Sequence, residues 1–248
     1  AWGTIHETSI AAEETLRPTN RARSKSGEVT SFSTLTDHVK DAHAPTGLSY
    51  WDTLLSGGFV AGAVALLGGE PGIGKSTVLA QLGLTMAAQG SKVLYVTGEE
   101  SPAQVALRLK RLAKDIPPSF TFLDSTNADV VAATIREQRP ALTIVDSVQT
   151  LRVPEVVGEP GNPTQIKAGS AVVSEAAKQS TSAVVLVGQV TKDGELAGPR
   201  LLEHLVDTVL MMEGDRYQSL RVIRVLKHRF GSTEEVAMLA MTEKGLEE

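Results

Sequence analysis

Residues 69–76 read Gly-Glu-Pro-Gly-Ile-Gly-Lys-Ser, the pattern G-x-x-x-x-G-K-[ST]. No other stretch constrains the chain as tightly, because it fits one local architecture: a strand, a glycine-rich loop that cradles phosphate, and a helix. The glycines at 69, 72 and 74 let the backbone curl so that main-chain N–H groups face inward. Gly69, Glu70, Pro71, Gly72, Ile73 and Gly74 form the cradle, Lys75 supplies a charge for the outer phosphates, Ser76 offers a hydroxyl to Mg²⁺, and Thr77 follows at the helix start. An apolar run precedes the loop at 63–68, and Leu79, Leu82 and Met86 share one helical face after it.

The same reading extends along the chain. Strands are predicted at 63–68, 92–97, 120–123, 141–145, 183–187, 209–213, 220–227 and 236–241. Helices are predicted at 76–88, 102–114, 129–138, 165–179 and 199–206. Strands alternating with helices predict an α/β fold with a mostly parallel sheet covered on both faces. The closing run of strands, turned at Gly214-Asp215, predicts antiparallel additions at one edge. Residues 1–45 are rich in Ser, Thr, Arg and Glu without a sustained apolar period and read as an arm or linker, with Trp2 and Phe32 as local anchors or the whole as a tail. The core is placed at 46–248.

Composition narrows the chemistry. A chain of 248 residues without cysteine has no disulfide and no Cys-ligated metal within these residues, which fits a reducing compartment. A net charge of −5 announces no global nucleic-acid surface, so any such contact is local. No apolar run approaches the length of a membrane helix, and no signal-peptide pattern follows Ala1.

Beyond the loop, polar residues cluster at predicted strand ends, where ligands of such folds bind. Asp146 closes Leu142-Thr143-Ile144-Val145; such an Asp is commonly a cap or turn residue, but here it can hold Mg²⁺ opposite Ser76. Glu99 and Glu100 follow the strand at 92–97; either can orient an attacking water, and both can cap the helix opened by Ser101-Pro102. Gln189 ends another strand, as a γ-phosphate sensor or an ordinary polar end. Lys227-His228-Arg229-Phe230-Gly231 closes a strand in which Arg221, Lys227 and Arg229 are expected on one face. That face is either solvated or, across a subunit boundary, a phosphate clamp like an arginine finger.

Together these segments carry a resemblance. Thr46-Gly47, Asp52, Gly57-Gly58 and Gly62 before GGEPGIGKST resemble the entry to RecA-type ATPase cores. TGEES at 97–101, VDSVQT at 145–150, GQVTKDG at 188–194, AGPRLLEHLVDTVLMMEGD at 197–215 and KHRFGSTEEV at 227–236 resemble the bacterial RadA (Sms) family of RecA-like DNA repair and recombination ATPases. The similarity runs from about residue 30 to the end. It implies a RecA-like P-loop core that binds ATP and Mg²⁺. The implied activity is DNA-stimulated hydrolysis by a cytoplasmic hexameric motor that migrates branched intermediates, with single-stranded or branched DNA and the recombinase RecA as partners. The family's Lys-Asn-Arg-Phe-Gly motif carries over to Lys227, Arg229, Phe230 and Gly231, with His228 in place of Asn. The resemblance places Glu99 ahead of Glu100 as the catalytic glutamate. Gln189 stands where the family often has His, and Gln there is closer to RecA itself.

A four-cysteine zinc motif is expected upstream of residue 1, since Ala1-Trp2-Gly3-Thr4 resembles the stretch that follows it, and a Lon-protease-like domain is expected after Glu248. DNA contacts are expected in 152–166 and 190–199, with Lys167, Lys192 and Arg200 on phosphates or as plain surface charge. Two other classes stay open: a RecA-like signalling or clock ATPase that switches protein partners without DNA, and a nucleotide-binding assembly module without turnover.

Overall fold

The computed structural model describes residues 43–189, 199–214 and 219–248, the side chains of 199 and 200 excepted. The chain divides into Ala1–Lys40 and Asp41–Glu248. The first unit, with the expected anchors Trp2 and Phe32, lies outside the described residues. The second unit holds every described strand and helix.

Its elements are β1 (His43–Ala44), α1 (Ser49–Leu54), β2 (Phe59–Val60), β3 (Val64–Gly69), α2 (Lys75–Ala88), β4 (Val93–Thr97), α3 (Pro102–Leu112), β5 (Phe120–Asp124), α4 (Ala128–Gln138) and β6 (Leu142–Asp146). A short 3₁₀ turn (Val148–Thr150) leads to α5 (Pro163–Ser180), β7 (Ala183–Gln189), α6 (Pro199–Leu202), β8 (Thr208–Glu213), β9 (Leu220–His228), β10 (Val236–Thr242) and β11 (Gly245–Glu247). Among the described residues, nine strands form one sheet in the order β11-β10-β9-β8-β3-β7-β6-β4-β5. From β8 to β5 every pairing is parallel; β9, β10 and β11 join antiparallel. This is the mostly parallel α/β sheet with antiparallel edge strands that the alternation predicts.

Period-two alternation sorts the strand residues between two apolar layers. Ala65, Leu67, Tyr95, Ile144, Val185 and Val187 pack with Trp51 and Leu54 of α1 and Leu79 and Leu82 of α2. Val64, Leu66, Val96, Val145 and Leu186 pack on the other face with Val131 and Ile135 of α4 and Ile166 and Val173 of α5. Helix starts follow local chemistry. Ser101 and Gln104 form a capping box around Pro102, while Asn127 and Asn162 accept the first free N–H groups of α4 and α5.

Two differences from the sequence-based expectation have identifiable causes. The helix expected over 199–206 ends at Leu202, and the chain then bonds Asp207 N–H to Val64 C=O so that β8 can begin. The shared face of Arg221, Lys227 and Arg229 does not form. β8 pairs Val209 with Lys227 but Leu210 with Val225, so Leu226 is an extra residue in a β-bulge. The bulge reverses the alternation. Arg221 is buried on one side of the sheet, and Lys227 falls on the side of its partner Val209, in the opposite apolar layer from Leu210.

Candidate functional site

The loop between β3 and α2 is closed by two glycines in left-handed backbone, Gly72 at φ 77° and Gly74 at φ 116°. Any side chain is strained at these angles, and at Gly74 a Cβ would also lie 2.9 Å from Met241 Cε. The hydrogen-bond ladder of α2 opens with Thr77 and Val78 donating to Gly74 O, so the N–H groups of Lys75 and Ser76 before it face the loop, a ready anion cradle. Lys75 is buried and curls back, donating from Nζ to Gly69 O at 2.8 Å and Glu70 O at 2.9 Å. Burial lowers its pKa, and the nearby carboxylates of Asp146 and Glu99 oppose that shift. Lys75, Asp146 and Glu99, from three different strand ends, are therefore within electrostatic reach of one another.

The loop has a support that sequence reasoning missed. Arg221, on the antiparallel strand β9 that lies beyond β8 from β3, donates from Nε to Ile73 O at 2.9 Å. It is 5% exposed, against the expected charged outer face; the bulge that separates it from Lys227 has no local sequence signature.

Asp146 is buried at the end of β6, paired in register with Thr97 of β4. Its Oδ2 accepts from the Tyr95 hydroxyl at 2.6 Å, and Oδ1 has no partner among the described residues. Ser147 donates from Oγ to Glu99 Oε1 at 2.5 Å. The Thr97 hydroxyl accepts the N–H of Glu99 at 3.2 Å and of Glu100 at 3.4 Å. The two glutamates then diverge: Glu99 joins Ser147, and Glu100 pairs with Arg108 at 2.7 Å.

Gln189 sits at the end of β7, in register with Gly69 at the loop's entry. Its carbonyl accepts from Gln149 Nε2 at 3.4 Å, which ties it to the turn after Asp146. Ser76 and Thr77 are half-buried in the first turn of α2. A hydroxyl and a carboxylate are the hard oxygen donors that Mg²⁺ takes, and no cluster of three or more His, Cys, Asp or Glu occurs among the described residues. The donor set fits a Mg²⁺ that draws its other ligands from phosphate and water, and the glycine cradle fits a phosphate chain.

Lys227 and Arg229 are not part of this cluster. Lys227 Nζ donates to Glu203 O and, at 2.9 Å, to Val206 O. Arg229 Nη1 pairs with Asp207 Oδ1 at 2.9 Å while its side chain stays 58% exposed. Both lie beside Thr208 at the amino-terminal end of the parallel strands, whereas the loop lies at the carboxyl-terminal end. His228 bonds Thr208 Oγ1 through Nδ1 at 2.8 Å and meets Phe230 edge-on. Burial pushes its pKa down, with His43 adding in the same direction.

Of the expected DNA contacts, Lys167 is exposed on α5, Lys192 lies outside the described residues, and so does the side chain of Arg200. The segment 152–166 is held by Gln165, which is fully buried: Oε1 accepts from Val153 N at 2.9 Å, and Nε2 donates to Val156 O at 2.6 Å and Gly158 O at 3.1 Å. No described helix is long and apolar enough to cross a membrane.

Comparison with known proteins gives this geometry a context. A family model described as AAA domain matches residues 31–195. The chain is 42% identical over 255 residues to the DNA repair protein RadA of Pseudomonas aeruginosa, covering 100% of this chain and 54% of that protein. It is 43% identical over 216 residues to RadA of Aquifex aeolicus, covering 86% and 48%, and 38% identical over 253 residues to RadA of Bacillus subtilis, covering 100% and 54%. The chain thus spans about half the length of these relatives.

Proposed function

The chain belongs to the AAA-domain family and is RadA-like in sequence, and on that premise we propose that it is a Mg²⁺-dependent ATP hydrolase acting on DNA in repair and recombination. The observation that carries this reading is the convergence of Lys75, Asp146 and Glu99 beyond the carboxyl ends of the parallel strands. Lys75 exchanges the carbonyls of Gly69 and Glu70 for the outer phosphates. Ser76 and the free oxygen of Asp146 would hold Mg²⁺, which would supply positive charge to offset that of the phosphates. Glu99, released from Ser147, orients the attacking water and takes its proton. Gln189, level with the loop entry, reports the state of the γ-phosphate to the segment that follows it.

Lys227 and Arg229 serve a neighbouring subunit's nucleotide, because they stand at the wrong end of the sheet for their own. Repeating such a head-to-tail contact closes a ring, and a hexamer is the form proposed. DNA lies along 152–166 and 190–199, with Lys167, Lys192 and Arg200 on its phosphates, and branch migration is the proposed work. Phosphate release measured with and without single-stranded DNA, across a salt series, tests this. Stimulation that fades with salt is expected. Turnover indifferent to DNA overturns the DNA half of the reading, and binding without turnover overturns the enzymatic half.

A further inference from the structure

Tyr95 sits in the middle of β4 with no exposed surface. A buried phenol has to satisfy its hydroxyl, and this one does so twice: it donates to Asp146 Oδ2 at 2.6 Å and accepts from Arg108 Nη2 at 2.9 Å. Arginine has donors only, so the single phenolic proton is committed to Asp146. Arg108 is fixed in turn. Its guanidinium lies 5.6 Å from the Tyr95 ring centroid and forms the 2.7 Å ion pair with Glu100. Its side chain is 11% exposed and that of Glu100 34%, so the guanidinium is largely shielded while the carboxylate stays partly solvated.

These contacts close a circuit. Asp146 leads to Tyr95, Arg108 and Glu100; the backbone leads from Glu100 to Glu99; and Glu99 returns through Ser147 to Asp146. We propose that Tyr95 is a positioning residue for the metal-binding carboxylate: its hydroxyl anchors Oδ2 of Asp146 so that Oδ1 is presented to the cation, and Arg108, held by Glu100, keeps the hydroxyl aimed. Glu100 then has a role distinct from that of Glu99 and acts on the cation from a distance. The inference rests on the nucleotide-site reading and adds a residue to it.

The test uses Mn²⁺ as a paramagnetic stand-in for Mg²⁺, titrated by electron paramagnetic resonance into the 248-residue chain with a non-hydrolysable ATP analogue. Tyr95→Phe keeps the ring and removes the anchor. Loss of a hydrogen bond to a charged group weakens Mn²⁺ binding about tenfold. Analogue binding in EDTA stays unchanged. Arg108→Gln, at a more accessible position, weakens Mn²⁺ about threefold, since it disturbs only the aim of the hydroxyl. The double variant matches Tyr95→Phe alone, because Arg108 acts through the phenol. Unchanged Mn²⁺ affinity in folded Tyr95→Phe, or in Arg108→Gln should the first not fold, overturns the assignment. If the unsubstituted chain binds the analogue but its Mn²⁺ affinity does not depend on it, the metal-site reading falls and this inference falls with it.

Discussion

Mixing two inactive variants tests whether the nucleotide site is completed by a second subunit. In register, β3 pairs Gly69 with Met212 and Ala65 with Thr208, and β9 places His228 opposite Thr208. The loop entry and the Lys227–Arg229 pair are therefore separated by four residues of strand, about 13 Å, with the arginine drawn further away by Asp207. Arg229→Ala removes the clamp and, at the strength of an arginine finger, lowers turnover by about three orders of magnitude. Lys75→Ala removes the loop's cation and gives an inactive chain of the other kind. In a ring assembled at random from equal amounts, a site works when its own chain keeps Lys75 and its neighbour keeps Arg229, which holds for about a quarter of sites. Steady-state phosphate release from the mixture thus rises from background to about a quarter of the unsubstituted rate. Native mass spectrometry confirms that subunits have exchanged. If Arg229 worked on its own nucleotide, every mixed site would stay dead, so no gain in a verified mixture rules out action of Arg229 on a neighbouring subunit. Near-normal turnover of Arg229→Ala alone refutes the clamp itself.

The contacts described lead to three further outcomes. Glu99→Gln retains nucleotide binding and loses hydrolysis, whereas Glu100→Gln keeps most of its turnover, since Glu100 faces Arg108; single-turnover chemistry separates the two. Asp207 accepts the buried Val64 N–H through Oδ2, so Asp207→Ala costs about 2 kcal/mol and lowers Tm by roughly 4–8 °C. Asp207→Asn keeps an acceptor and loses only the pair with the exposed Arg229, under about 1 kcal/mol; equal melting losses for the two variants count against this account. His228 has a folded pKa below its ordinary 6.5, so the folded state binds fewer protons than the unfolded one. Its contribution is fully present above 6.5 and is lost as pH falls through the folded value. Melting compared at neutral and acidic pH shows a larger acid loss for the unsubstituted chain than for His228→Asn, and parallel losses rule out this titration.

Much of this molecule is legible from local pattern. The strand, loop and helix around Lys75 follow from glycine chemistry and apolar periodicity, and Asp146 and Gln189 stand at strand ends, as expected. What escapes a local reading depends on partners distant in sequence. Tyr95 sits in an apolar strand and reads as core; only its pairing beside β6 gives the hydroxyl a carboxylate. The bulge at Leu226 arises between β8 and β9, so the alternation counted along one strand misplaces Lys227 relative to Arg221. β11 is too short to announce itself; it is held by Gln81 of α2, whose amide bonds both the N–H and the carbonyl of Leu246 like an extra strand. α1 is likewise short, and its membership in the core becomes visible only through Trp51 and Leu54.

Gln165 has a mechanical consequence. A single amide on the first turn of α5 satisfies backbone groups of Val153, Val156 and Gly158, none of which has a neighbouring strand to turn to. Peeling that segment from the helix would strand those groups or hand them to solvent while leaving a buried amide empty, a cost of several hydrogen bonds at once. Segment and helix therefore travel as a single lever. α5 ends just before the short link into β7, whose far end carries Gln189. Only Thr181 and Ser182 separate that helix from the strand, so the surface gathered by Gln165 is joined closely to the strand that carries Gln189.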